Sequence, residues 1–423
     1  MASTQNGPGA EPSERSSLLA NGSGEGAVET NNNNSHILSQ FKDGATTWMY
    51  WPTKVSHLAM STITRDYVNV LLVFVPLGII AGVLDWDAGA VFALNFLAII
   101  PLASLLGFAT EELAATMGQA LGGLMNATFG NAVELIVSII AIKDGQVRVV
   151  QASMLGSILS NILLVLGCCF FIGGLRYREQ SFNTTVASTM SSLLTIASAS
   201  LIIPAALSAT LGGDRSEASS QVLFLSHYTS IILLAVYVMY LYFQLKTHAD
   251  LFEESQEGPS TTDIEQLQGG TEAEEEEDGE EHLLSPMAAT VVLVIVTLLV
   301  AVCADYLVGS IDSIVQKTGM SKTFIGLVLI PIVGNAAEHV TAVMVAWKNK
   351  MDLAIGVAVG SSLQIALFVT PFLVILGWIV NVPMTLDFHT FETAAFFISG
   401  LVVTFLIQDG KSNYLEGGLC LGM

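Results

Sequence analysis

Charged residues are scarce in this sequence, and the basic ones are the rarest of them. Only 12% of the 423 residues are charged, and 15 Lys and Arg stand against 37 Asp and Glu. A soluble domain usually carries about a quarter charged residues, so this composition excludes an ordinary soluble domain. The net charge of −22 also argues against a nucleic acid partner, because proteins bind the phosphate backbone with Lys and Arg.

Cysteine is equally scarce, with four in the whole chain. Their spacing indicates neither a disulfide framework nor a zinc site, and we expect them to pack as small apolar residues. No cluster of Cys and His suggests a soft metal. The hydrophobic runs also lack a central Lys or Arg that could neutralise a buried acidic group.

Long apolar runs dominate what is present, since 52% of the residues are hydrophobic. A helix needs roughly 20 apolar residues to cross a bilayer. The sequence therefore predicts a polytopic membrane protein in contact with lipid. The predicted spans are ten in number: 68–84, 88–108, 114–142, 149–174, 184–209, 222–245, 288–309, 322–347, 352–379 and 390–407.

The same pattern predicts the domain organisation. The regions are a disordered cytosolic tail at 1–66, an extra first transmembrane helix at 67–87, a first half of the membrane domain at 88–245, an acidic cytosolic linker at 246–285 and a second half at 286–423. The span 222–245 has a counterpart that would begin just beyond Met423. We therefore expect the second half to lack its final helix.

Two short strings repeat within the apolar runs: GNAVE at Gly130–Glu134 and GNAAE at Gly334–Glu338, 204 positions apart. At the same offset Gly156 matches Gly360, without a gap. The first half contains five helices, an odd number, so the second half starts from the opposite side of the membrane. The predicted fold is thus all-α, with two inverted five-helix repeats plus an extra N-terminal helix.

Each repeat places a glutamate inside a hydrophobic span. A charged residue at the centre of a span costs about 3 kcal/mol on insertion scales, which favours a functional role for Glu134 and Glu338. Asn131 and Asn335 precede these glutamates by three residues and so share their helix faces. Carboxylate and amide oxygens suit a hard cation such as Ca²⁺.

Other residues of the repeats are candidates for supporting roles. Gly130 and Gly334 are expected to loosen their helices and free backbone carbonyls. Gly156 and Gly360 let helices approach closely. Gln364 is a large polar group in an apolar run, and we assign it to the cation site.

Three further ionisable residues lie near the motifs. His339 adjoins Glu338 and is either a ligand or proton relay, or a packing or gating residue. Glu111 and Glu112 lie before the first motif, where they either attract cations at the cytosolic entrance or are solvated ends.

The paired glutamates also predict proton coupling. Two empty, desolvated carboxylates close together cannot both stay ionised, so at least one binds a proton. A divalent cation expels that proton. A site that holds either metal or protons, and opens alternately to each side, is an exchanger. The Lys and Arg of the loops favour a cytosolic N-terminus.

Four motifs resemble those of the calcium/proton exchanger (cation/proton exchanger) family of the calcium/cation antiporter superfamily, especially its fungal vacuolar branch. The motifs are ATEELAA at 109–115, NATFGNAVELI at 126–136, GSILSNILLVLG at 156–167 and PIVGNAAEHVTA at 331–342. The resemblance implies a vacuolar-membrane exchanger that drives cytosolic Ca²⁺ into an acidic lumen. It implies that Glu134 and Glu338 carry the ion, supported by Asn131, Asn335 and Gln364, with no cofactor.

The alternatives are a Na⁺-driven calcium exchanger, a Mn²⁺/H⁺ antiporter and an intramembrane enzyme. A Na⁺-driven exchanger is expected to carry more polar ligands in its motif helices than this chain does. The string AEHVTA lacks the His-Glu-x-x-His spacing of a metalloprotease. In the N-terminal tail, Glu14–Leu19 has the form of an acidic dileucine signal for a sorting adaptor.

Overall fold

The computed structural model describes residues 67–210, 215–252 and 284–423. The predicted tail at 1–66, with its sorting motif, and residues 253–283 of the predicted linker lie outside these ranges. All ten predicted spans are helical in the structure. The all-α polytopic fold predicted from the sequence is therefore confirmed.

The first part of the chain contains seven helices of more than three residues among the described residues. They are α1 (Val68–Val83), α2 (Ala88–Thr116), α3 (Gln119–Phe129), α4 (Ala132–Lys143), α5 (Val147–Arg176), α6 (Thr184–Thr210) and α7 (Ser220–Thr247). The part after the linker contains α8 (Pro286–Gly309), α9 (Ile311–Thr318), α10 (Lys322–Gly334), α11 (Ala336–Trp347), α12 (Met351–Ile379), α13 (Thr390–Leu406) and α14 (Tyr414–Gly422).

Helix α2 is two turns longer than the sequence predicted. It starts where the Asp87 carboxylate accepts a hydrogen bond from Gly89 N (2.9 Å), and it continues through the strong helix formers of 109–115. It stops before Gly118, whose φ of +76° suits glycine and not other residues. Glu111 and Glu112 therefore lie at the end of α2, and the motif helix starts only at α3.

Each motif sits at a sharp break between two helices. Helices α3 and α4 meet at 46°, and α10 and α11 meet at 60°. The first break falls at Gly130 and Asn131, and the second at Asn335. Because the two breaks occupy matching positions of the repeats, each half offers one broken helix to the interior of the bundle.

The central helices α5 and α12 are more deeply buried than the peripheral spans. In α5 and α12, 50% and 61% of the most apolar 18-residue window is buried, against 33% in α7 and in the α8–α9 span. Both central helices widen into a π-helical turn, at Ser160–Val165 and Ile365–Val369. These turns follow the matched Gly-Ser pairs, so the repeats agree in helix geometry as well as in sequence.

The two ends of the bundle carry different polar contacts. We name them the Lys348 end and the Lys322 end, after the residues that follow α11 and begin α10. At the Lys348 end, Arg176 donates to Trp347 O (3.2 Å), and Gln180 donates to Ala346 O (2.9 Å). Residues Gln180–Ser181 pair antiparallel with Lys411–Ser412. The two side-chain contacts hold the end of α11 to α5 and to the loop after it, and the strand pair joins that loop to the segment after α13.

Candidate functional site

Glu134 and Glu338 lie in the first turns of α4 and α11, directly after the two breaks. The positive end of a helix dipole favours an anion there. Glu134 is only 3% exposed, whereas Glu338 is partly exposed. Glu134 and Gly334 line the same small gap, so the carboxyl group of Glu134 lies against the break that precedes Glu338. The structure thus brings Glu134 of the first half to the helix break that carries Glu338.

Gly334 makes this approach possible. A Cβ atom placed on Gly334 would lie 2.5 Å from Glu134 Oε1 and 3.0 Å from Glu134 Cδ. The carboxylate of the first half therefore rests directly on the break in the second half. In contrast, a Cβ on Gly130 would meet Asn126 O of its own helix (2.6 Å) and would lie 3.9 Å from Gln364 Oε1.

A chain of hydrogen bonds connects the amides beside the carboxylates. Asn131 Nδ2 donates to Gln364 Oε1 (2.5 Å), and Ser361 Oγ donates to Asn131 Oδ1 (3.4 Å). Asn161 Nδ2 donates in turn to Ser361 Oγ (3.1 Å). Two of the predicted supporting amides, Asn131 and Gln364, therefore meet. Sequence reasoning gave Asn161 no role, although it is a buried amide inside the matched motif 156–167.

Several buried polar atoms near the breaks have no hydrogen-bond partner within the described residues. They include Glu134 Oε2, Glu338 Oε2, Ser157 Oγ and both side-chain polar atoms of Asn335. A buried polar atom without a partner costs about 1–3 kcal/mol. Oxygen atoms left free in this way suit the coordination of a hard cation. Among the described residues no three His, Cys, Asp or Glu gather, so neutral oxygens would supply the remaining ligands.

His339 lies next to Glu338 in sequence but contacts another part of the site. Its Nε2 atom is 3.4 Å from Ser160 Oγ, in the π-helical turn of α5. The imidazole is partly buried. The predicted proton-coupling residue thus bridges α11 and α5.

A cavity of about 690 Å³ reaches the site from the Lys348 end. Glu338, Ser361, Gln364 and Lys348 are among the residues that line it. Glu134 does not line this cavity; it borders a much smaller gap of about 10 Å³ on the other side of the break. The cavity therefore offers an ion a route to Glu338 first.

The two predicted entrance carboxylates point to different places. Glu111 lines the cavity. Glu112 does not line it: this residue is buried, and its Oε2 atom accepts a hydrogen bond from Leu284 N (3.1 Å). The prediction that Glu112 belongs to the entrance needs this correction. Successive helix residues point about 100° apart, so only one of the pair faces the cavity.

The predicted close-packing glycines also differ. Gly156 lies against the carbonyl of Leu327, where a side chain would collide with backbone. Its counterpart Gly360 has room, because a Cβ there would come no closer than 3.5 Å, to Met190 Cε. The repeats therefore match in sequence but not in packing.

The amide chain gives a first testable prediction. We expect Gln364→Leu to raise the calcium concentration needed for half-maximal transport by about tenfold, because a buried Asn131 Nδ2 would lose its partner and the cation an oxygen. Transport rates measured over a range of calcium concentrations in proteoliposomes check this. An unchanged half-maximal concentration would remove Gln364 from the site.

Comparisons with known proteins identify the family of this chain. The family model described as sodium/calcium exchanger protein matches residues 88–246 and 288–423. A vacuolar calcium ion transporter of Schizosaccharomyces pombe is 50% identical over 360 residues, covering 85% of this chain and 83% of that protein. A Ca²⁺/H⁺ antiporter of Aphanothece halophytica is 44% identical over 351 residues, covering 83% of this chain and 92% of that protein.

Solved structures extend the likeness to the fold. The structure of native YfkE has a TM-score of 0.68 and 38% sequence identity, and the match covers 84% of this chain and 96% of that one. The H⁺/Ca²⁺ exchanger CAX has a TM-score of 0.61 at 13% identity, covers 84% and 85% of the two chains, and supports the fold alone. With its broken helices, paired carboxylates and family match, this chain belongs to the sodium/calcium exchanger protein family.

Proposed function

We propose that the protein is a vacuolar Ca²⁺/H⁺ antiporter, a secondary active transporter that moves cytosolic Ca²⁺ into an acidic lumen. The observation that carries this proposal is the placement of Glu134 against Gly334, at the helix break that precedes Glu338, with a cavity lined by Glu338. The names of the Schizosaccharomyces and Aphanothece relatives, calcium transporter and Ca²⁺/H⁺ antiporter, support the choice of ions.

The proposed coupling follows from the charges at the site. Bound Ca²⁺ neutralises both carboxylates and draws oxygens from Asn131, Asn335 and Gln364. When Ca²⁺ leaves, two neighbouring carboxylates in a desolvated site take up protons in its place. Because Ca²⁺ and protons compete for the same oxygens, the site returns carrying protons. The movement of protons in one direction therefore drives the movement of Ca²⁺ in the other.

The proposed direction rests on the loop charges. With the N-terminus in the cytosol, the Lys348 end faces the cytosol, and the cavity is the route by which Ca²⁺ loads. Glu111 would raise the local cation concentration along this route. The Lys322 end then faces the lumen. We propose that His339, whose Nε2 atom lies 3.4 Å from Ser160 Oγ, passes protons between α11 and α5.

The domain boundaries of the sequence analysis complete the proposal. The helix at 67–87 stands before two inverted halves, at 88–245 and 286–423, and the acidic segment 246–285 connects them in the cytosol. Lipid surrounds the helices. A sorting adaptor at Glu14–Leu19 remains a proposal about a segment outside the described residues.

Proton release tests the proposed function. In proteoliposomes with an acidic interior and an internal pH dye, we expect external Ca²⁺ to raise the internal pH, since protons leave as Ca²⁺ enters. External Na⁺ should not do so. A response to Na⁺ and none to a pH gradient would favour a Na⁺-driven exchanger. A larger response to Mn²⁺ than to Ca²⁺ would favour a Mn²⁺/H⁺ antiporter.

A further inference from the structure

The two halves differ in where the first segment of their broken helix packs. In the second half, α10 lies along the first part of α5. A Cβ on Gly326 would come within 2.7 Å of both Ala152 Cβ and Val149 O. The counterpart helix α3 packs on α2 instead, and a Cβ on Gly122 would lie 2.5 Å from Ala114 O. The first part of α5 is therefore covered by α10, whereas α3 leaves the matching part of α12 uncovered.

This difference matches the position of the cavity. Gly356 and Val357 of α12 line the cavity at the Lys348 end. At the same 204-residue offset, their counterparts on α5 are Ala152 and Ser153. Helix α10 covers these residues: Ser153 is 2% exposed, and its hydroxyl has no hydrogen-bond partner among the described residues. A polar face of α5 thus lies sealed at the position that is open in the other repeat.

Three polar side chains hold the start of α10 in this place. Lys322 Nζ donates to Gln146 Oε1 (2.8 Å) and pairs with Asp312 Oδ1 (2.6 Å). Gln146 Nε2 donates to Asp312 Oδ2 (2.8 Å). The triangle ties α10 to α9 and to the residue before α5. Gln146 is buried, whereas the Asp312 and Lys322 side chains are 54% and 38% exposed.

We infer that Gln146, Asp312 and Lys322 form a latch that keeps the lumenal half of the ion pathway closed while the cytosolic half is open. This inference rests on the proposed function. Opening the lumenal side requires α10 to leave α5, which exposes Ser153 and Ser157 to water and satisfies their free hydroxyls. The latch must come apart in that step, and the site then faces the lumen.

The latch contributes little to the free energy difference between the two states, because its ion pair is exposed to solvent. Breaking an exposed ion pair shifts the ratio of the two states by about 1.4- to fivefold. A shift of that size changes the balance between states without unfolding the protein. Another ion pair joins Lys317 of α9 to Asp87, the residue before α2, so neither of its partners belongs to α10. It serves as a matched control.

Cysteine labelling of the full-length protein in nanodiscs tests the latch. Ser153→Cys reports the lumenal face, and Val357→Cys reports the cytosolic face. A soluble maleimide is added without Ca²⁺, and labelling at each position is read by mass spectrometry. We expect Asp312→Asn to raise labelling at position 153 by about 1.4- to fivefold and to lower it at position 357. Lys317→Gln should change neither. Equal labelling in all three backgrounds would overturn the proposal.

A covalent cross-link provides the second measurement. A carbodiimide joins Lys322 Nζ to the Asp312 carboxylate, which lie 2.6 Å apart, as an amide with loss of water. In Ser153→Cys protein treated in this way, we expect labelling at position 153 to fall, whereas Asp312→Asn, which cannot form the amide, should keep it. Unchanged labelling of position 153 in the cross-linked protein would contradict the closed seal. If the unmodified protein neither binds nor moves Ca²⁺, the proposed function fails, and the labelling result still decides the latch.

Discussion

Replacing either buried carboxylate with its amide, Glu134→Gln or Glu338→Gln, should lower the transport rate by at least about a hundredfold. Each change removes a charged ligand and a proton acceptor with little change in volume. Losing one charge-assisted interaction of about 3 kcal/mol corresponds to two powers of ten. Calcium flux in proteoliposomes with matched amounts of protein measures the effect.

The control for this pair of variants is Glu179→Gln. Glu179 pairs with Lys411 across the surface (3.2 Å), and its side chain is 58% exposed. The substitution makes the same chemical change away from the site, so we expect a rate close to that of the unmodified protein. Size-exclusion profiles establish that all three variants are folded. A normal rate in Glu134→Gln or Glu338→Gln would remove that residue from the ion site.

Gly334→Ala should lower calcium transport by about ten- to a hundredfold, although it adds only one methyl group. That methyl would lie 2.5 Å from Glu134 Oε1, so the carboxylate must move by about 1 Å to reach an ordinary contact. Displacement of a reacting group by 1 Å can cost about a hundredfold. Folding is not expected to suffer, because Ala is a better helix former than Gly by about 1 kcal/mol.

Gly360→Ala is the matched control. It makes the same change in the other half, where the nearest atom would be 3.5 Å away at the flexible end of Met190. We expect near-normal calcium transport from it. Equal and severe losses in both variants would show that helix flexibility, and not the position of Glu134, sets the rate.

The sequence predicted the spans and the central pair of residues because both depend on strong local signals. Long apolar runs mark helices in a bilayer, and a glutamate inside such a run is costly enough to require a function. The repeat added a relation between distant parts of the chain, since Glu134 and Glu338 occupy equivalent positions. The family resemblance found from the motifs is confirmed by the match over both halves.

The remaining features depend on how the helices pack. Glu112 and Glu111 look alike in sequence, and only the length and rotation of α2 decide that one faces the cavity and the other Leu284. The bond between Asn131 and Gln364 joins residues 233 positions apart. Gly156 and Gly360 match in the repeat, yet only Gly156 meets a neighbouring backbone. The sequence repeat shows only what the two halves have in common, so it does not predict in which half the ion pathway is open.

The most direct test of the account is uptake of ⁴⁵Ca²⁺ into proteoliposomes with an imposed pH gradient. With an acidic interior, we expect Ca²⁺ to accumulate against its own gradient, and a protonophore to abolish this accumulation. Replacing external K⁺ with Na⁺ should have no effect, and Glu338→Gln should not accumulate Ca²⁺ under any condition. Accumulation that persists without a pH gradient, or that follows a Na⁺ gradient, would contradict exchange of Ca²⁺ for protons at the paired carboxylates.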